Sequence, residues 1–236
     1  MLKLDDDVRP RIPQLAAMQI LRGFKEDGTP ILEDNTRAIT LRILLTHTLG
    51  LGYDLADPDI MRWSDFVGRT ANNLQWTLEG FNTPIKFAPG DGWYYGAAYD
   101  WAGYLLTLVT GQSLEDCMKE HVFKPLDMTS TTFWPRRLPD WESRSLAFTF
   151  CDEDGSKLGP SQSPVPLDTH EMDSGGAGLF STPEDYGKLL RGVLCGSILS
   201  QETTDLLFTP QLEQPQRDML HTIAEAAPPA ATHHRR

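Results

Sequence analysis

The chain has 236 residues, 40% hydrophobic and 23% charged, an ordinary composition for a globular protein with room for a sizeable core. Its formal net charge of −12 argues against nucleic acid or an anionic membrane as a partner, because Arg9/Arg11, Arg136/Arg137 and Arg235/Arg236 are isolated pairs rather than a basic patch. Three widely spaced cysteines (Cys117, Cys151, Cys195) read as free thiols of a reducing compartment, no run approaches the ~20 apolar residues of a membrane span, and the acidic start at Asp5–Asp7 does not read as a signal peptide, so a cytoplasmic location is expected.

Residues 1–15 are acidic and then punctuated by Pro10 and Pro13, as in an extended connector. Two short apolar stretches, Gln19–Phe24 and Thr29–Leu32, flank Lys25-Glu26-Asp27-Gly28, and Asp-Gly between apolar runs predicts a hairpin. Thr40 is placed to cap a short helix carrying Leu41, Leu44 and Leu45, ended by Gly50 and Gly52. Ala97 to Thr110 reads as a buried helix stopped by Gly111, and Ser113 caps the next, which Pro125 ends. Residues 135–170 predict irregular structure with short strands. Ser181-Thr182-Pro183-Glu184-Asp185 is a strong helix start, with Tyr186, Leu189, Leu190, Val193 and Leu194 marking one face. The Ala/Pro-rich stretch from Ala224 is expected to be disordered, leaving 1–223 as the folded part.

Three segments carry more chemistry than a scaffold needs. In Leu44-Leu45-Thr46-His47-Thr48-Leu49-Gly50-Leu51, His47 lacks a second ligand at helical spacing, which argues against a metal; alone it reads as a structural hydrogen-bonder tying loop carbonyls. Phe87-Ala88-Pro89-Gly90-Asp91-Gly92-Trp93-Tyr94-Tyr95-Gly96 sets a turn followed by aromatics. A tyrosine at such a junction can project into a cleft and relay a proton, or simply clamp the core. Asp173-Ser174-Gly175-Gly176-Ala177-Gly178 is neither a phosphate loop nor a Gly-x-Ser-x-Gly elbow, so its glycines read as tight backbone packing.

Taken together and in order, these segments resemble the class C β-lactamase-like serine hydrolases, which include esterases, D-aminopeptidase-like enzymes and fungal transesterases. Asp100-Trp101-Ala102-Gly103, Thr110-Gly111-Gln112-Ser113-Leu114-Glu115, Phe123-Lys124-Pro125-Leu126-Asp127-Met128 and Gly175–Tyr186 carry the likeness as well, over roughly residues 1–220. The resemblance implies an α/β (α+β) β-lactamase/transpeptidase-like fold, with this chain supplying mostly the helical part and the end strands of the antiparallel sheet missing. It implies acyl transfer through a serine ester, from ester or acyl-thioester substrates, with no cofactor or metal and a small-molecule acyl partner.

On that resemblance Tyr95 falls on the tyrosine of a Tyr-x-Asn motif, and Ala97 stands in the asparagine place. Leu49 and Asp127 occupy positions where the family usually has Ser and Gly. No serine in the chain is followed three residues later by lysine, so the family's Ser-x-x-Lys is absent from it, as is the Lys-Thr-Gly or His-x-Gly strand. The expectation is a chain truncated at both ends, exposing apolar surface on its sheet-facing helices and inactive alone. A non-catalytic acyl-ligand-binding protein is the alternative, and Ser174 as a substitute nucleophile is a third.

Overall fold

The structure is a computed structural model describing residues 2–152, 155 and 157–226. In chain order it contains helix α1 (Pro13–Ala16), strands β1 (Gln19–Phe24) and β2 (Pro30–Asp34), and helices α2 (Leu41–Leu45), α3 (Pro58–Phe66), α4 (Leu78–Phe81), α5 (Ala98–Thr110) and α6 (Leu114–Met118). Helix α7 (Trp141–Arg144), strands β3 (Thr149–Cys151) and β4 (Leu158–Pro160), and helices α8 (Pro183–Leu194), α9 (Gln201–Leu207) and α10 (Gln214–Ala226) follow. The chain divides into two compact units, residues 1–69, 82–102 and 210–236 against 70–81 and 103–209, with α5 running from one into the other.

In the first unit, β1 and β2 form the expected antiparallel hairpin, closed through Gly28 at φ +87° and bulged between Leu21 and Gly23. β1 gains a further partner from the connecting chain: Leu21 N–H donates to Ile85 C=O (2.8 Å) and Ile85 N–H to Gln19 C=O (2.9 Å). Ile12, Leu15, Ile20, Ile39, Leu44, Leu49, Leu51, Ile60, Ile85 and Trp101 are fully or almost fully buried in its core. Thr40 caps α2 as expected, its Oγ1 accepting from Ile43 N–H at 3.2 Å. A start the sequence reading passed over is Asp57-Pro58: Asp57 Oδ1 caps α3 by accepting from Asp59 and Ile60 N–H (2.9 and 3.0 Å), with Pro58 at the first helical position. α10 runs through Ala226, so Ala224–Ala226 are helical; the rest of the expected disordered tail, 227–236, lies outside the described residues.

The second unit is organised by buried carboxylates. Glu115 accepts from Thr132 Oγ1 (2.6 Å) and Phe133 N–H (2.9 Å) and pairs with Lys119 (2.7 Å). Asp185 accepts from Ser130 N–H (2.7 Å) and Thr131 Oγ1 (2.9 Å). The caps at Ser113 and Thr182 form as the sequence predicts. The 135–170 stretch is largely irregular and contains the β3–β4 pair.

One expectation changes in detail. Helix α8 turns Asp185 and Gly192 inward, while Tyr186, Leu190 and Leu194, at i, i+4 and i+8, face solvent with Leu194 75% exposed. Asp185 is drawn in by its two Ser130–Thr131 donors, and a Cβ at Gly192 would stand 2.6 Å from Leu126 Cδ2. The apolar stripe is therefore the exposed face of α8. Among the described residues no helix is long and apolar enough to cross a membrane, and no group of three His, Cys, Asp or Glu could hold a metal.

Removing Glu115 leaves a buried hydroxyl and a buried amide without an acceptor. Glu115→Ala is therefore expected to cost about 2–4 kcal/mol in urea unfolding. Lys119 is half-exposed, so Lys119→Met should cost no more than about 1 kcal/mol.

Candidate active site

The first unit holds the residues that the sequence singles out most strongly. Residues 47–50 run beside 86–94 through three backbone hydrogen bonds: Lys86 N–H to Gly50 C=O (2.9 Å), Gly90 N–H to Thr48 C=O (2.8 Å) and Tyr94 N–H to His47 C=O (3.0 Å). This pairing brings the His47 segment against the aromatic segment, whose glycines are spatially required. A Cβ on Gly96 would lie 2.3 Å from the Leu51 carbonyl oxygen, and one on Gly52 would lie 2.7 Å from Tyr94 Cε1.

Tyr95 stands at the start of this wall, 53% exposed. Its ring meets His47 (centroids 4.9 Å), Tyr53 (5.7 Å, edge-on) and Trp93 (6.3 Å, stacked). His47 also touches Trp93 (6.0 Å) and Tyr99 (4.8 Å), and Tyr99 Oη donates to Leu45 C=O at 3.0 Å. The result is a cluster of five rings in which Tyr95 is half-exposed and shares a side-chain hydrogen bond with Tyr53. Burial, the nearby Asp100 carboxylate and Tyr95 push the Tyr53 phenol well above its ordinary pKa, so Tyr53 keeps its proton.

His47 departs from its expected role. Its carbonyl, not its ring, ties the loops together, and its backbone is left-handed at φ 56°. The ring Nδ1 is buried without a hydrogen-bond partner, and burial lowers the imidazole pKa. His47 is thus a neutral ring packed against Tyr95.

Behind Tyr95, its neighbour Tyr94 points inward. Tyr94 Oη donates to Asp57 Oδ2 at 2.6 Å, and Lys86 Nζ donates to Asp57 Oδ1 (3.1 Å) and Asp59 Oδ2 (2.6 Å). Burial would raise the Asp57 pKa, but hydrogen bonds from Tyr94 and Ile60 and the Lys86 cation hold it below the ordinary carboxylate value. Sequence reading missed Asp57, Tyr53 and Lys86. Only Asp57 left a local signal, the Asp-Pro helix start, because the other two gain meaning from distant partners.

Ala97, in the asparagine place, is buried and offers no polar side chain toward Tyr95. Ser174 belongs to the second unit and is 1% exposed; its Oγ accepts from Ala177 N–H (3.1 Å) and its carbonyl from Gly178 N–H (2.8 Å). It closes a turn, and a Cβ on Gly178 would sit 2.8 Å from the Ser174 carbonyl oxygen, so Gly178 serves close packing. Beside that turn is another pair the sequence reading missed. His170, with a fully buried side chain, places Nε2 3.0 Å from Asp173 Oδ1 and stacks on Trp134 at 3.8 Å.

The first unit thus presents a half-exposed tyrosine at a loop-to-helix junction, set among aromatic rings, on a largely helical framework. The beta-lactamase family profile matches residues 1–226, and the chain belongs to that family. Over 97% of its length it is 35% identical to lovastatin esterase of Penicillium rubens and 34% identical to monacolin J acid methylbutanoyltransferase of Aspergillus terreus. Among solved structures, a mutant simvastatin synthase from Aspergillus terreus superposes on 96% of the chain with a TM-score of 0.84 at 35% identity. The chain spans 58%, 56% and 55% of these three proteins, respectively. It therefore carries part of the β-lactamase/transpeptidase fold.

The neutral state of His47 has a pH consequence. Its folded pKa lies below the 6.5 of a free histidine, so the stability it contributes is complete above pH 6.5 and is lost as pH falls through the folded value. Thermal melts from pH 7.5 to 5 should show this decline, and His47→Phe should flatten it.

Proposed function

We propose that this chain is the tyrosine-bearing part of an acyl-transfer enzyme that takes acyl groups from esters or acyl-thioesters and acts in fungal secondary metabolism. The single observation that supports this most directly is Tyr95. It stands in the family's motif position, exposed at the loop-to-helix junction, with its ring held by His47, Tyr53 and Trp93. The relatives' names describe ester hydrolysis and methylbutanoyl transfer, so water and an alcohol are both acceptors within this group.

In the proposed reaction a serine hydroxyl attacks the acyl carbonyl, the donor's leaving group departs with a proton, and an alcohol or water then takes the acyl group from the serine. Tyr95 carries the proton between nucleophile, leaving group and acceptor. The apolar rings beside it suit an aliphatic acyl chain. With Ala97 in place of asparagine, this wall offers one polar contact fewer. On this reading the nucleophile is the serine of a Ser-x-x-Lys that the 236 residues do not contain, since no serine has a lysine three positions on.

Sequencing the transcript tests this reading: it predicts Ser-x-x-Lys encoded upstream of Leu4-Asp5-Asp6-Asp7, and a frame without it overturns the proposal. In the product of that frame, Tyr95→Phe should lower kcat for a methylbutanoyl thioester by about 10²–10⁴-fold with little change in KM. The 236-residue chain alone should release no p-nitrophenol from a p-nitrophenyl ester. Release abolished by Ser174→Ala would instead identify Ser174 as the nucleophile.

A further inference from the structure

We infer that Asp57, Lys86 and Tyr94 act together as a positioning anchor for Tyr95, a role that rests on the acyl-transfer reading of that residue. Tyr94 is fixed at both ends. Its N–H is held by the His47 carbonyl at 3.0 Å, and its hydroxyl by Asp57 Oδ2 at 2.6 Å. Its ring fills the space that a Cβ on Gly52 would need. Trp93 and Tyr95 stack at 6.3 Å and both meet the His47 ring, whereas Tyr94 between them reaches Asp57, so pinning Tyr94 on one side sets Tyr95 on the other.

Asp57 is more heavily engaged than a helix cap requires. Its side chain is only 4% exposed and accepts from two amides, an ammonium and a phenol, and Lys86 bridges it to Asp59. Capping α3 needs only one carboxylate oxygen, Oδ1; Oδ2 is given to Tyr94. A charged acceptor makes that phenol bond about twice as strong as a neutral pair would. The direction in which Tyr95 points is thereby tied to a buried charge at the N-cap of α3.

Two substitutions separate anchoring from folding. Asp57→Asn keeps an N-cap of equal quality but replaces the charged acceptor of Tyr94, and Tyr94→Phe keeps the ring against Gly52 but removes the hydroxyl. The probe is 3-fluorotyrosine placed at position 95 by suppression, read by ¹⁹F NMR across pH, together with nitration of Tyr95 by tetranitromethane followed by mass spectrometry. Nitration depends on how freely the reagent reaches the ring, and a rate change of about twofold is read as a change in the setting of Tyr95.

Both variants should move the ¹⁹F resonance and change the nitration rate by at least that factor at temperatures where they are fully folded. Ile12→Val, a core change away from the anchor, should lower the melting temperature and leave both readings alone. If either anchor variant fails to fold, Lys86→Gln, which leaves cap and tyrosines intact, must show the same shift. Anchor variants that melt lower with Tyr95 unchanged would overturn the inference. Since no turnover is measured, that result would leave the acyl-transfer reading standing or falling on its own test.

Discussion

The three backbone hydrogen bonds that join residues 47–50 to residues 86–94 bring the His47 ring beside Trp93 and Tyr95. His47 is far in sequence from Trp93 and Tyr95, and its ring meets theirs where Tyr94 N–H reaches the His47 carbonyl. That approach is possible because Gly96 and Gly52 carry no Cβ; side chains there would meet the Leu51 carbonyl and the Tyr94 ring. Burying so much loop backbone would cost free energy if its polar groups were unpaired, and the pairing of the two segments satisfies them. The exposed phenol is then the outward end of a unit fixed from behind.

Buried carboxylates meeting several donors recur in both units. Asp57 does this in the first, and Glu115, Asp173 and Asp185 in the second. Each ties an element start or loop to a residue far away in sequence, and each is expensive to leave half-satisfied. Such networks specify loop positions that apolar packing alone would leave degenerate. The outward stripe of Tyr186, Leu190 and Leu194 on α8 is the cost of turning Asp185 inward.

Local chemistry carried most of what could be read from the sequence. The Asp27-Gly28 hairpin and the caps at Thr40, Ser113 and Thr182 each depend on a few consecutive residues, and all are present. Family resemblance added Tyr95 and the departure at Asp127, whose backbone at φ 56° is one that glycine adopts without strain. What stayed hidden depended on partners distant in the chain. Lys86 reads as a solvated lysine until Asp57 is brought beside it, and His170 as an isolated histidine until Trp134 stacks on it. The orientation of α8 was also illegible, because its helical period fixes which residues share a face but not which face turns inward.

The central claim is that the wall bearing Tyr95 is part of the folded core of its unit and not a loop that opens independently. Native-state amide hydrogen exchange tests it most directly. The Lys86, Gly90 and Tyr94 amides should exchange with the same opening free energy and denaturant dependence as those of Leu21 and Ile85, which join β1 to the connecting chain. Exchange of the first three by a smaller, denaturant-independent opening, with Leu21 and Ile85 still protected, would contradict it.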